Sequence, residues 1–208
     1  LSIGVRLLMA ALSGWLLALA YPTPGQWWCA PISVAIFSAL AWNQTKKLGA
    51  ITGFVYGWVA FLVQHTWLTV VGVDATWILS FYLAIWIGAI GIVISIISRA
   101  ITRKAIPWPI GVLAISSVWV LEEFLRGRYP FGGYPWARLA FSQADSPLAL
   151  WSRIGGIPWL SFVVAAISVA CVAIFISAST RAKVTLVLFI VACFLIPITL
   201  SNASSSTD

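Results

Sequence analysis

Runs of about 20 predominantly apolar residues recur along this 208-residue chain. Each run is long enough to cross the hydrocarbon core of a bilayer as a helix. Hydrophobic residues make up 62% of the chain and charged residues 8%, whereas soluble domains carry about 25% charged residues. Because a backbone inside lipid must satisfy its own hydrogen bonds, we expect an all-α fold, a polytopic membrane helical bundle.

Seven such runs can be distinguished, and they predict about seven transmembrane helices. The predicted spans are Gly4–Ala20, Trp27–Trp42, Leu48–Val71, Trp77–Ser98, Trp108–Leu125, Pro158–Ser177 and Val184–Leu200. A Pro/Gly turn, Tyr21–Gln26, joins the two short first spans as a tight hairpin. In the third span Gly49, Gly53 and Gly57 repeat every four residues, which predicts a face for close helix packing.

Lysine and arginine set the expected orientation, because short loops rich in these residues stay in the cytoplasm. With the N-terminus inside, the inner side holds eight of the 12 basic residues: Arg6, Lys46, Lys47, Arg99, Arg103, Lys104, Arg181 and Lys183. We therefore expect one transmembrane domain over residues 1–200, with the N-terminus cytoplasmic and the C-terminus outside. We expect residues 201–208, which follow it, to be a polar stub or the start of a linker to a further domain.

The net charge of +7 does not predict a nucleic-acid partner, because the basic residues lie between apolar spans, where they meet the bilayer surface. Cys29, Cys171 and Cys193 all lie in apolar runs and lack metal-ligand spacing. We expect no metal and no cofactor.

Four arginines fall on the predicted outer side, against the general rule: Arg126, Arg128, Arg138 and Arg153. Three belong to the aromatic-rich segment 122–147, which its prolines and glycines prevent from forming one helix. Either Glu122 or Glu123 can reach Arg126 along a helix. Two interpretations stay open: an interfacial loop with a structural ion pair, or a surface whose arginines bind lipid headgroup phosphates.

Two smaller expectations concern neighbouring residues. Ala137–Ala144 is compatible with a short helix lying in the membrane interface. His65, near the outer end of the third span, is interpreted as a hydrogen-bonded interfacial residue rather than a catalytic base.

A series of motifs runs in order along nearly the whole chain. These are Gly53-Phe54-x-x-Gly57, Trp119-x-x-x-Glu123-Phe-Leu-Arg-Gly127, Gly133-Tyr-Pro-Trp136, Ser142-Gln143, Asp145-Ser-Pro-Leu148 and Gly155-Gly156. In this series the chain resembles the membrane domain of bacterial apolipoprotein N-acyltransferases. Its Phe131–Trp136 segment looks most like that of actinobacterial members.

The resemblance implies acyl transfer from a phospholipid to the α-amine of a diacylglyceryl-modified lipoprotein, at the outer face of the bacterial inner membrane. In that family a nitrilase-like domain supplies a Glu–Lys–Cys trio, whose thiolate carries the acyl group. These 208 residues contain no such trio. We therefore expect no catalytic residue in this chain, which would be catalytically incomplete without a separate or fused nitrilase-like domain.

The resemblance also implies that the membrane domain holds both lipids. The residues expected to contact them are Glu123, Arg126, Arg128, Phe131, Tyr134, Trp136, Arg138 and Gln143. An alternative is a non-catalytic membrane anchor or partner of a polyprenol-phosphate mannose synthase, since some actinobacterial relatives are fused to such an enzyme or encoded beside it. A small transporter is disfavoured, because the charges lie at the ends of the spans rather than in their middle.

Overall fold

The computed structural model describes residues 1–177 and 179–205, and within them it contains helices and no strand. The seven α-helices are α1 (Ile3–Ala18), α2 (Cys29–Ala41), α3 (Lys46–Gln64), α4 (Val73–Thr102), α5 (Trp108–Arg126), α6 (Ser152–Ile176) and α7 (Thr180–Ser205). Three short 3₁₀ turns, Thr66–Val70, Leu139–Gln143 and Pro147–Trp151, lie in the connections. The expected all-α bundle is confirmed.

Five of the helices in the described residues, α3 to α7, are long and apolar enough to cross a membrane. The other two are shorter, with 16 residues in α1 and 13 in α2. At 1.5 Å per residue they extend about 24 and about 20 Å, less than the ~30 Å hydrocarbon core. The first two predicted spans are therefore apolar helices of less than spanning length.

Helix boundaries depart from the sequence expectation most clearly at α4 and α7. Helix α4 has 30 residues, because it begins at Val73 and ends at Thr102, beyond both predicted limits. Helix α7 continues to Ser205, so residues 201–205 of the expected polar stub are helical. Residues 206–208 of that stub lie outside the described residues.

The helical backbone of α6 is interrupted near its start. This interruption explains why the regular helix begins close to Pro158, where the sequence predicts the sixth span to begin. Gly155 and Gly156 have non-helical backbone angles, and Gly156 has φ = 69°. Glycine adopts this left-handed region without the steric cost of a side chain. The regular apolar helix then follows Pro158.

The connections alternate between two ends of the bundle. The loop end carries the α1–α2 hairpin (residues 19–28), the α3–α4 connection (65–72) and loop 127–151. The basic end carries the α2–α3 connection (42–45) and the α4–α5 connection (103–107). The acids of the described residues belong to the loop end: Asp74, Glu122, Glu123 and Asp145. Membrane orientation stays a prediction from this charge asymmetry.

Helix α3 packs most extensively against α4, and glycines set the distance between them. A Cβ added to Gly53 would meet the backbone carbonyl of Ile87, and one added to Gly91 would meet the carbonyl of Gly49. The glycine face predicted from the sequence is confirmed as a helix-packing surface, since only hydrogen atoms fit at these positions.

Replacing Gly53 with alanine should lower the free energy of unfolding by about 1–3 kcal/mol, because the added methyl group overpacks the α3–α4 contact. The matched control is Gly4→Ala, since nothing lies within 4 Å of a Cβ at Gly4. Denaturation in detergent micelles measures both variants. Equal stability of Gly53→Ala and Gly4→Ala would contradict this account of the interface.

Candidate functional site: the loop end of the bundle

Arg126, the last residue of α5, is 1% exposed and organises loop 127–151. Its Nε donates to Glu122 Oε1 at 2.5 Å, one turn earlier on the same helix. Its Nη1 donates to the carbonyl oxygens of Tyr134 at 3.1 Å and Trp136 at 2.8 Å, and its Nη2 to that of Ala137 at 3.4 Å. One buried cation thus fastens the loop backbone to the end of a helix.

Glu123 has a different partner from its neighbour. Its Oε1 accepts the backbone N–H of Leu139 at 2.8 Å, which positions the 3₁₀ turn that begins at that residue. The sequence allowed either carboxylate to pair with Arg126, and the structure selects Glu122. Each carboxylate accepts a hydrogen bond at its Oε1, which offsets part of the cost of burying it.

The segment expected to form a short helix on the membrane interface is packed into the bundle. It forms a 3₁₀ turn whose residues Leu139, Ala140, Ser142 and Gln143 are buried. The Ala140 N–H donates to Ser161 Oγ on α6 at 3.1 Å, and Gln143 Nε2 donates to the Trp27 carbonyl at 3.2 Å. A short helical segment thus forms within the expected range, as a 3₁₀ turn whose polar groups find partners on distant elements, and its position relative to the membrane interface stays a prediction.

His65 follows the last residue of α3 and is 1% exposed. Its Nε2 lies 2.5 Å from Tyr134 Oη and its Nδ1 lies 3.3 Å from Ser80 Oγ on α4. Burial and the charge of Arg126 lower the pKa of His65 to about 4. Burial also raises the pKa of Tyr134 to about 12. At neutral pH both side chains are therefore uncharged, and the imidazole exchanges hydrogen bonds with the Tyr134 and Ser80 hydroxyls, donating through one ring nitrogen and accepting through the other.

A cavity of about 470 Å³ lies beside this network at the loop end. Its walls come from the α1–α2 hairpin, the end of α3 and loop 127–151, and they include Tyr21, Gln64, His65, Trp67 and Tyr134. The Tyr21 O–H donates to the Ala137 carbonyl at 3.2 Å, and burial raises the Tyr21 pKa well above its ordinary value. The lining is aromatic and hydrogen-bonding yet uncharged at neutral pH, which suits an uncharged polar group attached to an apolar chain.

The structure divides the eight residues predicted to contact lipid into two sets. Three are buried: Glu123, Arg126 and Gln143. The other five are exposed or half-buried: Arg128, Phe131, Tyr134, Trp136 and Arg138. Among these, the exposed Arg128 lies over the Phe124 ring at 3.6 Å from its centroid, so its charge stays at the surface.

Sequence reasoning missed several residues that shape this site. Tyr21 and Trp27 belong to the α1–α2 hairpin, and Ser80 and Ser161 are buried serines of apolar helices. Polar residues inside apolar spans were a usable signal for the two serines, because a polar group in a membrane domain needs a partner. No local pattern indicated that the hairpin would meet loop 127–151.

A helical bundle with five helices of spanning length and a polar, aromatic loop end defines a multi-pass membrane domain. Residues 13–170 match the family described as the apolipoprotein N-acyltransferase N-terminal domain, and the chain belongs to this family.

Individual relatives agree with the family match. The apolipoprotein N-acyltransferase of Photobacterium profundum is 29% identical over 182 residues, which cover 81% of this chain and 34% of the relative. That of Chromobacterium violaceum is 28% identical over 193 residues, covering 86% and 36%. The chain thus spans about a third of the length of these curated relatives. They do not support the expected likeness to actinobacterial members.

Replacing Arg126 with methionine should lower the free energy of unfolding by about 3–5 kcal/mol, because it leaves a buried carboxylate unpaired. The double variant Glu122→Gln/Arg126→Met should recover part of that loss. Thermal unfolding in detergent measures both, and limited proteolysis reports on loop 127–151. The control Arg128→Met, at an exposed position, should stay within about 0.5 kcal/mol of the parent. Equal losses at positions 126 and 128 would contradict the assigned role.

Lowering the pH from 6.5 towards 4 should destabilise the protein in part through His65. Its pKa is lowered from 6.5 to about 4. Between these two pH values the unfolded chain binds a proton that the folded chain does not, so the free energy of unfolding decreases as the pH is lowered. His65→Gln removes this contribution and should flatten the pH dependence of the thermal midpoint. Parallel pH profiles for the parent and His65→Gln would show that His65 does not titrate in this way.

Proposed function

We propose that this chain is the membrane domain of an apolipoprotein N-acyltransferase in the bacterial inner membrane. Its loop end would hold the phospholipid donor and the diacylglyceryl-modified lipoprotein acceptor. The observation that carries the proposal is the cavity of about 470 Å³ at the loop end, in a chain whose residues 13–170 match that family. Neutral hydrogen-bonding groups beside aromatic rings suit the ester region and acyl chains of a lipid.

Lipid contact in this proposal falls to the accessible residues. Arg128 and Arg138 would bind a headgroup phosphate, because a guanidinium matches a phosphate in charge and geometry. Phe131 and Trp136 are exposed aromatic side chains, and Trp136 lies 6.1 Å from Trp67 between ring centroids. Such aromatic groups favour the membrane interface, so they would guide acyl chains towards the cavity.

In this proposal the buried residues would act indirectly, by positioning the elements that contact the lipids. Arg126 and Glu123 position the loop backbone through their hydrogen bonds to Trp136 and Leu139. Gln143 ties the 3₁₀ turn to the α1–α2 hairpin. Fixing these elements before a lipid arrives lowers the ordering cost of binding.

The chemistry would come from a nitrilase-like domain, either joined to this chain or separate. Its thiolate would take the acyl group from the phospholipid, releasing a lysophospholipid, and the acceptor amine would then take it from the thioester. Cys29, Cys171 and Cys193 belong to apolar helices. This chain would contribute by holding the two reactants in the required geometry.

Binding to the chain in lipid nanodiscs tests the proposal, with phosphatidylglycerol and a fluorescent diacylglyceryl-cysteine peptide as probes. Both should bind, and Arg128→Gln/Arg138→Gln should weaken phospholipid binding about thirtyfold, since each cation near the headgroup contributes about 1 kcal/mol. Arg181→Gln/Lys183→Gln removes the same charge from the basic end and should leave binding unchanged. Unchanged phospholipid binding in Arg128→Gln/Arg138→Gln would show that these two arginines do not bind the headgroup. Failure of both probes to bind would overturn the proposal.

The alternative role as an anchor or partner of a polyprenol-phosphate mannose synthase stays a prediction. Co-purification with such an enzyme, and loss of its membrane activity when this chain is deleted, would favour that role over lipid holding.

A further inference from the structure

A second cavity lies at the opposite end of the molecule. It has a volume of about 270 Å³ and lies between the start of α3, the last turns of α4 and the α4–α5 connection. Three cationic residues line it, Lys46, Arg99 and Arg103, together with Ser95. We call it the basic cavity.

No acid of the described residues neutralises these three charges. The described carboxylates belong to the loop end, and Asp74 lies at the start of the same helix that carries Arg99 near its other end. Those two residues are 25 positions apart on α4, about 38 Å at 1.5 Å per residue. The start of α3 adds the positive end of a helix dipole beside Lys46. The basic cavity therefore favours an anion.

An apolar groove of about 360 Å³ runs along the surface between α3 and α4. Small residues, Ala50, Gly88 and Ala89, line it together with larger side chains such as Ile51 and Ile92. The groove is lined by apolar residues throughout. Its width and composition suit an acyl chain, which gains dispersion contacts where small residues let it approach the backbone.

The basic cavity and the α3–α4 groove lie on one face of the helix pair. On α3, Lys46 lines the cavity, and Ala50, four residues later, lines the groove. On α4, Ile96 lines the cavity and Ile92 the groove, again four residues apart. Residues spaced by four share one face of a helix. The groove therefore leads along the bundle to the basic cavity.

We propose that this face binds one anionic phospholipid from the leaflet at the basic end, with its phosphate in the basic cavity and one acyl chain in the α3–α4 groove. The general excess of cations on cytoplasmic loops explains the charges, but it does not explain a cavity that continues into an apolar groove. A zwitterionic headgroup binds less well, because its own cationic group is repelled by Lys46, Arg99 and Arg103.

This lipid is distinct from the lipids proposed at the loop end, since the two cavities lie at opposite ends of α3: His65 follows its last residue and Lys46 is its first. It bridges α3 and α4, so its binding stabilises their contact and takes no part in acyl transfer. The inference stands independently of the proposed function.

The test uses the purified chain in detergent micelles, titrated with phosphatidylglycerol, phosphatidylcholine or inorganic phosphate. Native mass spectrometry counts bound lipid, and the thermal midpoint reports stabilisation. Phosphatidylglycerol should bind at least about tenfold more tightly than phosphatidylcholine and raise the midpoint, whereas inorganic phosphate should do neither. Equal affinity for the two lipids, or full competition by inorganic phosphate, would overturn the proposal.

Two variants with matched controls locate the site. Lys46→Gln/Arg99→Gln/Arg103→Gln should lower the affinity for phosphatidylglycerol at least about tenfold, because cations near a lipid surface attract anionic headgroups. The control Lys47→Gln/Lys104→Gln/Arg181→Gln removes three exposed charges of the basic end that do not line the cavity. It should change the affinity by less than about threefold. Equal losses in both triple variants would show a general charge effect and overturn the site.

The groove is tested without changing any charge. Ala89→Phe places a larger side chain in the groove lining and should lower lipid affinity, while Leu188→Phe enlarges an exposed side chain of α7 and should not. The comparison of Ala89→Phe with Leu188→Phe also tests the proposal if the triple variant Lys46→Gln/Arg99→Gln/Arg103→Gln fails to fold. Unchanged affinity in Ala89→Phe would show that no acyl chain occupies the groove.

Discussion

The Arg126 guanidinium is the charge on which the loop end depends. A buried cation in a membrane domain is costly unless it is paired and fully hydrogen-bonded. Glu122 supplies the pairing, and the carbonyl oxygens of Tyr134, Trp136 and Ala137 supply the remaining bonds. The loop must therefore fold down onto the end of α5. Once it does, the Tyr134 hydroxyl meets His65, and one wall of the loop-end cavity is formed.

Helices α3 and α4 connect this site to the other end of the molecule. Glycines on both helices bring their backbones close together, which fixes the two helices as one rigid pair. At one end of the pair His65 and Ser80 support the loop. At the other end Lys46 and Arg99 line the basic cavity. The same close packing thus borders both lipid sites that we propose.

In the role that we propose, the domain would assist acyl transfer without supplying the nucleophile. Two lipids that diffuse in a membrane react slowly unless their reacting groups are held together, and orientation alone removes several kcal/mol of the barrier. A loop already fastened by Arg126 and Glu123 offers such a surface at low ordering cost. The buried position of these two residues therefore agrees with a positioning role rather than with direct headgroup contact.

The sequence by itself determined the all-α class, the approximate position of all seven helices and the glycine face of α3. These follow from local rules, since every span must satisfy its own backbone in lipid and a four-residue spacing places residues on one face. Only the tertiary structure decided that Glu122 rather than Glu123 pairs with Arg126, and that the 3₁₀ turn Leu139–Gln143 is buried. Both carboxylates are within helical reach of Arg126, and the contact of Glu123 with Leu139, 16 positions away, separates their roles. The buried turn likewise depends on distant partners, as in the bond between Gln143 and Trp27 across 116 positions. Residue type and spacing carry no record of such contacts, because only the packing of the helices brings the partners together.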